Sequence, residues 1–432
     1  MIDVNLISIS ASIHFPQNKQ PSGKYSLQKK SDNKQKNDSI IKTFEQYVKE
    51  CATVKWNESS PEPLAELDYK EELDLKNRAF SLFLAKNNIS LKPAKIVDSP
   101  KSRNYRITSK RRVFCDRHGF GLGFSEPVKD GVVIESKLEP VEHRKIYQFL
   151  AETLSGSSFS SLARALNWLI IRGSYDRQFL IFNVFKMDGA VVKKLKQISD
   201  LLQKNKLVTG AIAYFDPTRS EYYLEAEKPS RTLQIKHLFG TRLLGLKVDE
   251  ILMRYSPTGF SQINESMVPH MVELAGSMLK LNSDDHLLDL YCGYGLFSHT
   301  LGKQCAKVTG YELSSDAINS AREISKRLGT QSKMRFFSEK IDARLVREKI
   351  SFSKQRELIL LDPPRKGCEP GVIEELAARN PQRVLHIFCG TDVIPSEIKQ
   401  WQKSGYQTKI IQPIDMFPGT PNLETMILLE KG

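Results

Sequence analysis

The stretch Asp289-Leu-Tyr-Cys-Gly293-Tyr-Gly295-Leu-Phe297 decides the fold. It grows out of the apolar run Leu287–Tyr291 and opens a helical pattern. Glycines at that point let the main chain approach a ligand at the carboxyl end of a first parallel strand. Glu312 stands nineteen residues beyond Gly293, at the end of the next run, where an acid takes both hydroxyls of a ribose. The full G-x-G-x-x-G is absent, with Phe297 and Ser298 where its last glycine would fall, which leans away from NAD. Further outward, strand-like runs alternate with helical ones: Lys307–Glu312 then Asp316–Leu328, Leu358–Asp362 then Gly371–Arg379, Val384–Cys389 then Ile394–Lys403. That order predicts an α/β, Rossmann-like doubly wound sheet, closed by Lys409–Pro413 and Thr425–Leu429 around the link Ile414–Glu424.

Upstream the rhythm changes. A helix is expected over Asp68–Ala85, with Tyr69, Leu73, Phe80 and Leu84 on one face. A basic stretch follows, Lys101, Arg103, Arg106, Lys110, Arg111, Arg112 and Arg117 against the single acid Asp116. Tyr105, Phe114, Phe120 and Phe124 are interleaved, so the stretch is a candidate RNA surface; a strand pair with a basic outer face would read the same way. Strands at Trp168–Ile171, Phe179–Phe185, Ala211–Tyr214 and Glu221–Leu224, with a helix over Ala190–Gln203, give a mostly antiparallel α+β region. Three parts result: a basic arm over 1–42, an α+β RNA-binding domain over 43–254 and the Rossmann-like domain over 255–432.

The chain's 432 residues suit two to three domains, and 40% hydrophobic with 26% charged residues is a globular balance. No apolar run reaches the roughly 18–20 residues of a membrane helix. Six cysteines without a C-x-x-C pair argue against a disulfide framework, zinc or an iron–sulfur cluster, and a cytoplasmic protein is expected. The net charge of +14 points to nucleic acid as partner. Asn18–Asn37 holds six lysines against one acid, a composition that buries too little apolar surface to order itself.

The run ending in Leu360-Leu-Asp362-Pro363-Pro364-Arg365-Lys-Gly367 sets an acid and two prolines at the sheet edge, a rigid exit able to hold a planar base. With the glycine loop, it resembles a class I S-adenosylmethionine-dependent methyltransferase. Gly259-Phe-Ser-Gln262-Ile-Asn264, His386-Ile-Phe-Cys389-Gly-Thr-Asp and Asp415-Met-Phe-Pro418-Gly-Thr-Pro-Asn422-Leu-Glu424 occur in that order. Together they resemble the RNA uracil-5-methyltransferases, over 255–432 and faintly upstream at Tyr69-Lys-Glu-Glu-Leu and Asn104-Tyr-Arg106.

The resemblance implies an enzyme making 5-methyluridine in ribosomal or transfer RNA, with Cys389 as nucleophile and Glu424 as base. Gln262, Tyr291, Glu312 and Asp362 match positions that hold S-adenosylmethionine. No metal, membrane or protein partner is implied, and Cys292 and Cys368 read as packing residues. Length and the upstream similarity lean toward ribosomal RNA. The sequence departs from the family's pattern at Leu296, at Phe388 and Gly390 flanking the thiol, and at Asn422. A cytosine-5 RNA methyltransferase is the alternative enzyme, though it would favour Pro-Cys where Asp362-Pro-Pro-Arg365 stands. A non-catalytic RNA-binding protein on the same fold is the alternative from another class.

Overall fold

Two sheets arise from the two rhythms in the sequence. The computed structural model describes residues 42–53, 57, 60–116, 119–124, 126–219 and 234–432. The arm up to residue 41, Arg117 and the strand expected at Glu221–Leu224 lie outside the described residues.

Among the described residues the upstream sheet has strands β1 (Ser109–Asp116), β2 (Gly119–Gly123), β3 (Leu166–Gly173), β4 (Gln178–Val184), β5 (Gly210–Phe215) and β6 (Gln234–Gly240), ordered β2-β1-β3-β4-β5-β6. Neighbours are antiparallel except β4 and β5, whose parallel pairing requires a crossover, here the helix Gly189–Lys204. Asp188 caps that helix by accepting the Val191 N–H at 2.9 Å, and Val191, Leu195, Ile198 and Leu202 bury their shared face. The hairpin of β7 (Leu244–Val248) and β8 (Ile251–Tyr255) follows.

The C-terminal sheet contains β9 (Asp285–Leu290), β10 (Lys307–Glu312), β11 (Met334–Ser338), β12 (Arg356–Leu361), β13 (Arg383–Phe388), β14 (Tyr406–Ile414) and β15 (Glu424–Lys431). Their order is β11-β10-β9-β12-β13-β15-β14, parallel from β9 to β13, with β15 antiparallel to both its neighbours. The expected α/β class I methyltransferase architecture is therefore present, and its edge strand β11 is one that the sequence reading does not place. Side chains alternate across the sheet. Leu288, Leu290, Ile359 and Leu361 enter one apolar core; Leu287, Leu358, Leu360 and Leu385 enter the other.

The helices Phe44–Cys51 and Tyr69–Lys86 pack into the first of these cores, alongside Trp401 and Ile427. Asp68 caps the longer helix through the Lys70 N–H at 3.0 Å. The helix ends where Asn88 turns left-handed, φ 60°, and the Ile89 N–H returns to the Leu84 carbonyl at 3.0 Å. Its buried stripe is Glu72, Leu75, Lys76, Ala79, Phe80, Phe83 and Leu84; of the expected face, Phe80 and Leu84 are buried while Tyr69 and Leu73 are only half-buried. Phe80 is fully buried, so truncation to alanine would cost roughly 3–5 kcal/mol.

Candidate active site

The carboxyl edge of the C-terminal sheet gathers the chemistry. After β9 the main chain turns left-handed at Tyr291, Gly293 and Gly295, with φ of 62°, 53° and 83°. A positive φ is uncommon for a residue other than glycine and strains Tyr291. Buried Asp289 accepts the Ser298 N–H at 3.1 Å and its hydroxyl at 2.6 Å, tying the next helix to the strand end. The other Asp289 carboxylate oxygen is buried without a partner, and burial raises this carboxyl to about 7. Glu312 folds back on the loop, accepting the N–H groups of Gly293 at 3.3 Å and Ser314 at 2.8 Å. Tyr255 stacks on Tyr294, ring centroids 4.8 Å apart, and so joins β8 to the glycine loop.

Gln262 is buried in a segment pinned at both ends. The Arg172 guanidinium donates to the carbonyls of Pro257 and Gly259 at 2.7 and 2.5 Å and to the Ser261 hydroxyl at 2.8 Å. Beyond Gln262, the Asn264 amide donates to the Ser99 hydroxyl at 2.9 Å and the Met416 carbonyl at 3.4 Å.

Strand register brings Cys389, Asp362 and Glu424 together. Leu361 is level with His386 in the parallel β12–β13 pair, and Phe388 faces Thr425 in the antiparallel β13–β15 pair. The residues just past β12 and β13 thus meet the first residue of β15. Cys389 Sγ lies 3.5 Å from Glu424 Oε1 and 3.6 Å from Asp362 Oδ1. Burial raises both carboxyls above their usual range, Asp362 adding to the rise at Glu424 and the charges of Asp289 and Glu312 to that at Asp362. Neither forms an ion pair among the described residues. Burial likewise pushes the Cys389 thiol up, the two carboxylates adding to it. Cys292 and Cys368 are also raised by burial, so titration does not single out Cys389; its position between two carboxylates does.

The residues flanking the thiol have physical explanations. A side-chain carbon on Gly390 would sit 2.3 Å from the Arg365 carbonyl oxygen, so the Pro363–Gly367 turn closes over this glycine. Phe388 stacks on His386, ring centroids 3.9 Å apart, beneath the strand. Asn422 turns inward on its own loop, donating its amide to the Thr420 hydroxyl at 3.2 Å.

A second buried polar cluster holds the loop that leads to Glu424. Lys76, fully buried, bonds Asp415 at 2.9 Å and Glu72 at 2.8 Å, and donates to the Phe417 carbonyl at 3.3 Å. Arg103 lies 3.1 Å from Glu72, whose other oxygen accepts the Gly419 N–H at 2.6 Å. Tyr69 donates to Asp415 at 3.1 Å, and the Tyr105 hydroxyl donates to the Pro418 carbonyl at 3.0 Å. The upstream stretches around Tyr69 and Tyr105 therefore grip one loop. Sequence reasoning misses Lys76 and Glu72 as site residues. Their signal is a pair of charges in register with Phe80 and Phe83 on an apolar stripe.

The basic stretch splits. Arg111 is buried in a two-point bond to Glu139 at 2.8 and 2.7 Å, Arg103 donates to the carbonyls of Leu64, Ala65 and Leu67, and Tyr105 is core. These three side chains are engaged within the protein. Cys368, His386 and Glu397 bring a sulfur, a nitrogen and a carboxylate oxygen within 4.8 Å of one another; Glu397 accepts the Cys368 N–H at 2.6 Å, which locks the turn after Pro364 to the helix Ile394–Lys403.

The family model for tRNA (uracil-5-)-methyltransferases matches residues 68–432. The chain belongs to that family. An uncharacterized RNA methyltransferase of Clostridium tetani is 22% identical over 85% of this chain and 79% of its own length. The 23S rRNA (uracil(1939)-C(5))-methyltransferase of Klebsiella pneumoniae is 33% identical over 42% of each chain. Against the Lactobacillus johnsonii relative, an uncharacterized RNA methyltransferase, the chain spans 51% of that protein's length. The crystal structure of the Pyrococcus abyssi tRNA (uracil-54, C5)-methyltransferase with S-adenosyl-L-homocysteine superposes with a TM-score of 0.65 at 19% identity, covering 87% of this chain and 88% of that one. That likeness establishes the fold. Among the described residues no helix is long and apolar enough to cross a membrane.

Proposed function

We propose that this protein transfers a methyl group from S-adenosylmethionine to C5 of a uridine in RNA, with Cys389 as nucleophile and Glu424 as base. The observation that carries the reading is the Cys389 thiol held 3.5 Å from the buried Glu424 carboxylate and 3.6 Å from the half-buried Asp362 carboxylate. When bound, S-adenosylmethionine supplies a methyl group made electrophilic by its sulfonium. Uracil C5 is too weak a carbon nucleophile to take that methyl unaided. Addition of Cys389 Sγ to C6 moves the ring's electron pair toward C5, and the thiol proton passes to a neighbouring carboxylate. Once C5 carries the methyl, Glu424 removes the remaining C5 proton, the C6–sulfur bond breaks and the thiol is restored. The raised thiol means that thiolate forms at the moment of attack rather than standing ready.

Gln262, Tyr291, Glu312 and Asp362 are proposed to hold the cofactor. Support comes from the left-handed main chain at Tyr291 and Gly293, the Glu312 carboxylate beside that loop, and the buried Asp289 oxygen lacking a partner. Residues 43–254 are proposed to serve RNA and 255–432 methyl transfer. The substrate is proposed to be 23S ribosomal RNA, supported by the 33% identity to the Klebsiella enzyme, with the uridine outside the helical stack so that C6 is reachable. A cytoplasmic location without metal or iron–sulfur cluster completes the reading, supported by six cysteines lacking a C-x-x-C pair.

The test incubates the protein with labelled S-adenosylmethionine and tRNA or ribosomal RNA lacking 5-methyluridine, then resolves nucleosides by mass. Labelled 5-methyluridine that vanishes in Cys389→Ala supports reaction and nucleophile together, and the RNA that gains it names the substrate. Methyl on cytosine, or RNA binding without any product, would overturn the assignment.

A further inference from the structure

Outside the thiol site, three arginines from separate parts of the upstream fold converge on one groove of about 490 Å³. Arg112 comes from β1, Arg164 precedes β3, and Arg219 follows β5. None of the three forms an ion pair among the described residues. Arg219 stands 3.4 Å from the Phe185 ring centroid, and Arg112 lies 5.9 Å from that of Phe114. Lys129 adds a fourth cation to the wall, against the carboxylates of Asp116 and Asp130. Asp130 is already engaged by the Phe120 N–H at 2.8 Å. Where β1 and β3 part beyond the Arg112–Trp168 pair, the sheet opens, and the groove occupies that opening. Guanidiniums beside aromatic rings are the arrangement that takes a phosphodiester strand.

The groove's place in the fold sets its reach. It lies at the start of β3, beside Leu166 and Asn167. The opposite end of the same strand carries Arg172, which anchors the segment containing Gln262. At about 3.4 Å per residue, the six steps between Leu166 and Arg172 span about 20 Å. A single RNA strand spans that length in a few nucleotides.

We propose that this groove is a second RNA-binding site, holding the phosphate backbone a few nucleotides away from the methylated uridine. It rests on the RNA reading above and adds a minimum length to the substrate. The basic surface sought in the sequence thus lies at the strand opening, and of the buried or inward residues of the 101–117 stretch, Arg103 and Arg111 play no part in it.

The experiment uses the full chain carrying Arg112→Gln, Arg164→Gln and Arg219→Gln together, and a fluorescent ribosomal RNA fragment titrated across a salt series. The variant is expected to bind at least about tenfold more weakly. Its slope of log affinity against log salt should fall by about 2, at about 0.7 for each single-strand phosphate that the protein ceases to neutralise. An RNA too short to span from the target uridine to the groove should bind wild type and variant alike. Unchanged affinity and slope on the long RNA, or equal weakening on the short one, would overturn the groove. So would a lowered thermal midpoint that accounts for the loss; single substitutions at exposed Arg164 and Arg219 guard against that outcome. Because binding is read without methyl transfer, the two proposals separate. Salt-sensitive binding lost in the variant while wild type makes no 5-methyluridine keeps the groove and sinks the reaction; the reverse pattern does the opposite.

Discussion

Two carboxylate pairs lie in or beside the closing stretch of the C-terminal sheet, and they are treated differently. Glu72 and Asp415 share Lys76 between them at 2.8 and 2.9 Å, with Arg103 beside Glu72 at 3.1 Å. Asp362 and Glu424 share only a thiol. Burial raises Asp415 as well as Asp362 and Glu424, but at Asp415 the Lys76 ammonium and the Tyr69 hydroxyl pull against the rise, whereas the second pair has no ion-pair partner among the described residues. The compensated pair can hold a loop in place; the uncompensated pair is ready to trade protons.

Removing the shared thiol should give the largest effect. Cys389→Ala is expected to lower methyl transfer by about 10⁴-fold or more, as removal of a nucleophile does elsewhere. Glu424→Gln should instead stall after methyl transfer, leaving RNA joined to protein through a band seen on denaturing gels. Absence of that band would remove Glu424 from the base role.

The contrast between the pairs is sharpened by Lys76→Met and Asp362→Asn. The first strands Glu72 and Asp415 without their buried cation and should cost about 3–5 kcal/mol in denaturant unfolding. The second relieves an uncompensated charge and should leave stability unchanged or higher while activity falls. Equal destabilisation by both would erase the distinction.

Gly390→Ala tests the tight turn over the thiol. Its new methyl would meet the Arg365 carbonyl at 2.3 Å, so about 1–3 kcal/mol of stability and part of the activity should be lost. The smallest effect concerns pH. Glu424 has its folded value raised above the ordinary 4.5, so its stabilising contribution is full below that value and fades as pH rises through the raised one. Unfolding free energy should fall over that window by at most about 1.4 kcal/mol per pH unit for one proton. Glu424→Gln should flatten the slope, and an unaltered slope would assign the titration elsewhere.

The parallel sheet is legible in the sequence because strand-like runs such as Leu358–Leu361 alternate with helical ones. Helix Ile394–Lys403 and strand Lys307–Glu312 fall where the sequence puts them. Cys389 and Glu424 are legible only through family resemblance; strand register explains why residues 35 apart in sequence touch. The edge strand β11 escapes the sequence reading although Met334 and Phe336 alternate with Arg335 and Phe337. Lys76 stays hidden for a different reason. A lysine reads as solvated until its partners are known, and while Glu72 is four residues away the other, Asp415, is 339 residues away. Arg103 and Arg111 mislead for the same reason, since charge in a sequence does not say which way it faces.

That distance has a consequence for how the protein is made. The helix Tyr69–Lys86 emerges from the ribosome long before Asp415, 339 residues after Lys76. At roughly 5–20 residues per second, the wait is about 20–70 s. For that time Phe80 and Phe83 lack the strands that will cover them, and Lys76 lacks the carboxylate at Asp415. The loop that leads to Glu424 is gripped only when the two ends of this span meet, so nascent chains should need protection early and gain their reactive centre late.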